Sequence, residues 1–173
     1  MRFVDFLKAT VLLSSGAATA LAAITVLSAA VHSDARLVVF MAAWWAISTI
    51  VGLWLGRRAE VSSPIAGLLA GAKSSAALPE HHPTLILLNR LWPLLIFALL
   101  AGGLGFLAGQ IPGIGAGFAI IWALAWRRQH AAVAAIEERD GVRFHVKRTS
   151  PVRPIELQRT PGFKALRPER IAA

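Results

Sequence analysis

The 173-residue chain has no cysteine and no tyrosine, and its nine acidic residues are outnumbered by eighteen Lys and Arg. Without cysteine it forms no disulfide and no thiolate metal site, although this says little about compartment. Charge is absent from four long stretches, roughly Ala9–Val31, Leu37–Gly56, Leu91–Gly109 and Ile111–Trp126. None of them carries a central histidine, so a membrane haem held by two imidazoles has no axial ligands here. Paired carboxylates and a nucleophile–base spacing are also missing, which argues against an enzyme. No catalytic residue, cofactor or metal ligand is assigned. Glu80, His81, His82 and His130 read as solvated cytoplasmic groups, because adjacent histidines do not share a helix face and no His-x3-His spacing occurs.

What is present is apolar length. Hydrophobic residues make up 56% of the chain and the mean hydropathy is +0.61, above the ~45–50% apolar content of soluble domains. A helix of ~20 apolar residues (range ~17–25) crosses the ~30 Å hydrocarbon core, so each run predicts a span, the last one short. The fold class expected is an all-α integral membrane protein. Residues 1–126 form a four-helix bundle of two hairpins with a cytoplasmic link over 57–90. Residues 127–173 form a basic cytoplasmic tail of a helix extension plus a β-hairpin. A cleavable leader competes for the first run, but that run stays apolar to Val31, beyond the ~7–15 residues of a leader's core.

Orientation follows from the basic residues. Arg2 and Lys8 precede the first run; Arg57, Arg58, Lys73 and Arg90 lie in the link; Arg127 and Arg128 open the tail. The His32–Arg36 turn carries Arg36 offset by Asp34, and the Gln110–Gly117 turn carries no charge. Positive charge favours the cytoplasmic side, so both termini are expected inside a bacterial-type cell membrane, a source the Arg-rich, Ala-rich composition suggests. Trp54, Trp92 and Trp126 stand beside Arg57, Arg90 and Arg127, the headgroup position of an aromatic belt. Trp44 and Trp45 lie deeper and, as neighbours, point to different helix faces. The shared Trp-and-Arg-Arg endings of spans two and four give only weak support for an internal duplication.

Small residues predict how the spans pack. Gly16/Ala20, Ser15/Thr19 and Ala18/Ala22 form small-xxx-small pairs in span one, and Gly102, Gly105 and Gly109 give span three a glycine face that includes a G-x-x-x-G. Gly113, Gly115 and Gly117 read as turn glycines after Pro112; a dinucleotide loop would need a preceding strand. In the link, Ile65, Leu68, Leu69 and Ala72 follow helical spacing after Ser62, Ser63 and Pro64, which predicts a short helix lying in the headgroup plane.

The tail carries eleven of the eighteen basic residues against five acidic ones. Span four is expected to continue as a helix to Asp140, with Gly141 as its C′ residue. Val142, Phe144 and Val146 then alternate with Arg143, His145 and Lys147, and Ile155 and Leu157 with Glu156 and Gln158, the period of half-buried strands. An isolated hairpin is marginal in water, so the apolar face, with Phe144 as its largest group, needs a cover. Arg143, Lys147, Arg153 and Arg159 are expected to form its basic, partner-binding face. Membrane lipids and a protein partner or second copy are the partners this pattern fits; nucleic acid is not, for want of stacking aromatics and base-reading motifs. The function expected is that of a non-enzymatic accessory or anchoring subunit, whose basic tail docks on a partner protein or on anionic headgroups. A small oligomeric channel or transporter is the alternative, but spans two to four lack the polar lining a pathway uses.

Overall fold

Why these residues form helices is answered mostly by the backbone's demand for internal hydrogen bonds in an apolar medium. The computed structural model describes residues 1–32, 34–58, 60–74, 83–147, 149 and 154–161, 75% of them helical. The elements are α1 (Phe3–Val31), α2 (Ala35–Leu55), α3 (Ser63–Ala70), β1 (Lys73–Ser74), α4 (Pro83–Leu104), α5 (Gln110–Trp126), α6 (Gln129–Asp140), β2 (Val142–Val146) and β3 (Leu157–Pro161). Three helices, α1, α2 and α4, are long and apolar enough to cross a membrane. Their outer surfaces carry large apolar side chains in the open, among them Leu12, Val39, Phe40, Ile50 and Leu99. Exposure on that scale is an aggregation hazard in water and the normal condition in lipid.

Helix α5 is the central helix. It packs most extensively against α1 and α2, and less against α4, so the main contacts run between helices distant in sequence rather than within the two expected hairpins. Asp34 caps α2 by accepting a hydrogen bond from the Leu37 amide at 3.1 Å. Helix α3 starts with Pro64 in its first turn, where a missing N–H costs nothing. It buries Ile65, with Leu68, Leu69 and Ala72 partly buried, as the spacing predicts.

Three expectations are corrected. Helix α4 ends at Leu104, so Gly105 and Gly109 lie in a turn and not on a helix face. A side chain at Gly105 would stand 2.9 Å from Pro112 Cγ, and one at Gly109 2.8 Å from Ser28 Oγ; these glycines let the turn close over its neighbours. The Gln110–Gly117 segment is not a turn but the start of α5, with Pro112 in its first turn, a tolerated place for proline. Span four does not run unbroken into the tail: Arg127 and Arg128 form a turn before α6. Gly141 ends α6 in the left-handed region at φ 63°, a conformation that favours glycine.

The α1 packing seam is also different. From Thr10 onward its buried residues are Thr10, Ser14, Ala18, Leu21, Thr25 and Ala29, three or four apart. Ser15 and Thr19 are exposed, their hydroxyls donating to the Val11 and Ser15 carbonyls at 2.9 and 3.0 Å. Gly16 is exposed and has nothing within 4 Å of where a Cβ would sit, so it packs against no helix of this chain. Of the four glycines expected to pack helices, Gly102 does so directly, 3.3 Å from Ile24 of α1 at its virtual Cβ.

The sheet has the order β1-β3-β2. Strands β2 and β3 are antiparallel, with Phe144 opposite Arg159 and Val146 opposite Leu157, and β1, from the link, adds a short parallel edge.

Candidate functional site

Two regions concentrate chemistry: the α2–α5 contact inside the apolar helices and the α/β module at their other end. At the first, glycines on both helices remove the side chains that would hold the backbones apart. A Cβ on Gly117 would collide with the Trp44 indole nitrogen and stand 2.7 Å from Ser48 Oγ; one on Gly113 would collide with Met41. On the facing helix, a Cβ on Gly52 would lie 2.8 Å from Leu124 Cβ, and one on Gly56 would collide with the Leu124 carbonyl. Close approach brings the two adjacent indoles of α2 onto α5: Trp45 donates to the Gly113 carbonyl at 2.8 Å and Trp44 to the Ile114 carbonyl at 3.2 Å. Both adjacent tryptophans thus bond to one helix, and Trp45 also packs on the cluster of Leu21, Ala101 and Ala116. The signal was present as two overlooked i, i+4 glycine pairs, Gly52/Gly56 and Gly113/Gly117.

At the second region, one apolar core joins residues from nearly every part of the chain. Phe3, Phe6 and Leu7 of α1, Ile65 of α3, Ile86 and Leu91 of α4, Val133 of α6, and Val142, Phe144, Val146 and Leu157 of the sheet cluster together. The cover that the strands need is thus supplied by the chain itself. The first turns of α1 belong to the same core as the tail's strands. Phe3, Phe6, Leu7 and Thr10 stand at i, i+3, i+4 and i+7, the amphipathic signature that marked this role before the span began.

Glu137 locks the arrangement. Its carboxylate is buried, accepts from Arg2 Nη2 at 2.7 Å and from the Phe144 amide at 2.9 Å. It ties the N-terminus, α6 and β2 to one point. That hydrogen bond, against a smaller effect of burial, holds the Arg2 guanidinium above its ordinary pKa. The Met1 carbonyl adds a bond from the Val146 amide at 3.0 Å. Gln129 fastens the link to α6, accepting from the Ser62 amide at 2.9 Å and donating to the Glu60 carbonyl at 3.3 Å.

The partner-binding residues expected from the sequence divide between core and surface. Phe144 is 4% exposed, so it is an anchor within the chain and is not presented to a partner. Arg143, Lys147 and Arg159 are exposed. They do not share one face: the register sets Arg159 opposite Phe144 and Arg143 opposite Thr160. Arg153 lies outside the described residues, as do Glu80, His81 and His82. Lys147 pairs with Glu156 at 3.2 Å, and Arg139 with Asp140 at 2.8 Å; among the described residues Arg143 and Arg159 make no ion pair. No group of three or more potential metal ligands occurs among the described residues.

His145 is the titrating member of the module. It is buried, with Nδ1 3.3 Å from Thr160 Oγ1. Burial first, then the amino group of Met1 and the guanidinium groups of Arg2 and Arg143, push its pKa below the ordinary value, while Glu137 pulls the other way. The unfolded chain therefore binds the proton more readily than the folded one. Stability from neutral His145 is complete above ~6.5, the ordinary histidine value, and falls as pH drops through that value toward the folded one. Thermal melting of the detergent-solubilised chain is expected to show a loss between neutral and mildly acidic pH that His145→Gln reduces. Identical pH profiles for the two proteins would contradict this.

The chain matches no protein-family model, and comparison with curated proteins and with solved structures found no match.

Proposed function

We propose that the chain is a non-enzymatic membrane subunit with four spans and both termini cytoplasmic, which holds a small basic module against the inner headgroup layer for docking on acidic groups of a protein partner. In this reading α5 is the fourth span: its 17 residues rise ~1.5 Å each, about 25 Å in all. It is shorter than its neighbours and is surrounded by them. Lys8, Arg57, Arg58, Arg127 and Arg128 then ring the inner ends of the helices, as positive-inside bias requires, and Arg57 lies over the Trp54 ring at 5.3 Å.

The single observation that carries the docking role is that Arg143 and Arg159, on opposite faces of the sheet, are both exposed and form no ion pair among the described residues. The neighbouring carboxylates pair with other cations, Glu137 with Arg2, Asp140 with Arg139 and Glu156 with Lys147, although Asp140 also feels the charge of Arg159. Guanidinium favours bidentate recognition of carboxylate, and complementary charge sets on-rate and specificity. Anionic headgroups are the second set of acidic groups within reach, because the module shares its core with the first turns of two membrane helices.

Isolated in mild detergent, the chain is expected to retain a protein partner that is released as salt rises. Arg143→Glu with Arg159→Glu should weaken that retention about tenfold or more, like charges across an interface costing several kcal/mol. Equal recovery at equal salt would contradict protein docking. If protease protection of the tail in vesicles then depends on phosphatidylglycerol content and on the same two arginines, the acidic groups are those of headgroups.

A further inference from the structure

A cavity of about 390 Å³ opens where the module meets the membrane helices, within the ~300–1,000 Å³ range of small-molecule sites. Its walls are almost wholly apolar. The lining includes Phe6 of α1, Leu68 of α3, Leu94 of α4, and Trp122 and Trp126 of α5. The two indoles stack at 5.6 Å between centroids, which joins them into one aromatic wall. Phe97 of α4 and Trp122 of α5, also in the lining, are 41% and 51% exposed, so the cavity is open on the side of these two helices. Among the described lining residues Arg90 alone is charged. It stands at the module end, where its guanidinium donates to Thr149 Oγ1 and to the Pro154 carbonyl at 3.2 Å. The neighbouring Asn89 side chain donates to the Thr149 carbonyl at 2.8 Å. Two ends of the tail loop therefore fix the position of one permanent cation at the mouth of an apolar slot.

We propose that this cavity is a binding site for an anionic phospholipid, which seats an acyl chain against Phe6, Leu94 and the Trp122/Trp126 wall and sets its phosphate at Arg90. In the four-span reading, on which this proposal rests, the α4–α5 side of the slot faces lipid, so the occupant comes from the bilayer. It is long and apolar, because the walls offer few polar partners beyond Arg90. It is anionic, because a guanidinium at headgroup depth is matched by phosphate. The site is separate from the Arg143 and Arg159 surface. Because Leu68, Leu94 and Ile155 belong to the link, α4 and the tail respectively, an acyl chain between them would join the module to the helices.

The test uses the full chain in a mild detergent, supplied with equal amounts of phosphatidylglycerol and phosphatidylcholine and read by native mass spectrometry. One retained lipid per chain is expected, phosphatidylglycerol over phosphatidylcholine by about fivefold, the scale of one basic residue at a charged interface. Leu94→Trp should fill the slot and abolish retention. Leu68→Trp, on a different element, should do the same and guards against a folding defect in the first variant. Arg90→Gln should bring the preference close to one, whereas Arg90→Lys should preserve most of it. Arg143→Glu with Arg159→Glu should retain the lipid, which keeps this result distinct from that of the docking surface. Equal retention of the two lipids by the wild-type chain, or retention unchanged in both filled variants, would overturn the proposal.

Discussion

Phe144→Ala is expected to unfold the α/β module while leaving the membrane helices inserted. Phe144 belongs to one buried cluster with residues from α1, α3, α4 and α6, and truncation of a buried phenylalanine costs ~3–5 kcal/mol when the site cannot collapse. The surroundings are tied by Glu137, which accepts from the Phe144 amide itself, so relaxation is restricted. Against a total stability of ~5–15 kcal/mol for an ordinary domain, a loss of that size is decisive for a small module. Limited proteolysis of the full chain in detergent should cut the Phe144→Ala tail rapidly and leave a membrane-protected fragment. Arg143→Ala, one residue away but exposed, should stay within about 0.5 kcal/mol of wild type, as surface changes usually do. An unchanged digestion pattern for Phe144→Ala would mean that the side chain is not held in the chain's own core.

Gly117→Leu should produce the second large effect, this time within the apolar helices. Even the first carbon of the new side chain collides with Trp44 and meets Ser48 at 2.7 Å. Overpacking typically costs ~1–3 kcal/mol, and displacement of Trp44 adds the loss of its hydrogen bond to Ile114, a further ~0.5–1.5 kcal/mol. No hydrophobic force pulls helices together in lipid, so close packing of small residues carries much of the association. Gly103→Leu is the control, because nothing stands within 4 Å of its virtual Cβ. The readout is the melting temperature in detergent, with apparent size followed alongside. Equal melting of the two leucine variants would show that α2 and α5 do not approach at Gly117.

Much of the fold could be read from the residues because it rests on short-range chemistry. Apolar length marked α1, α2 and α4, and the Ile65–Ala72 spacing marked α3. Gly141 marked the end of α6, and alternation around Phe144 marked β2. What escaped depends on partners distant in sequence. The two-residue β1 has no pattern of its own; Lys73 and Ser74 become a strand only because β3 lies alongside them. Gly113, Gly115 and Gly117 look like a turn by propensity, since glycine is a poor helix residue in water, yet inside an apolar bundle the backbone must bond to itself. The expected basic face divides because Arg159 shares its parity with Leu157, which sets it opposite Phe144. The recruitment of Phe3, Phe6 and Leu7 into the module was visible as helical spacing, but it was hidden by their position at the edge of a longer apolar run.

The central claim is a module on the cytoplasmic side of four spans, and cysteine accessibility tests it most directly in a chain that has no cysteine of its own. Single cysteines at His32, after α1, at Leu107, in the α4–α5 turn, and at Glu138, on α6, all replace exposed residues. A membrane-impermeant thiol reagent applied to intact cells is expected to label His32→Cys and Leu107→Cys but to reach Glu138→Cys only after the membrane is opened. Labelling of Glu138→Cys from outside intact cells, or protection of Leu107→Cys until lysis, would contradict it.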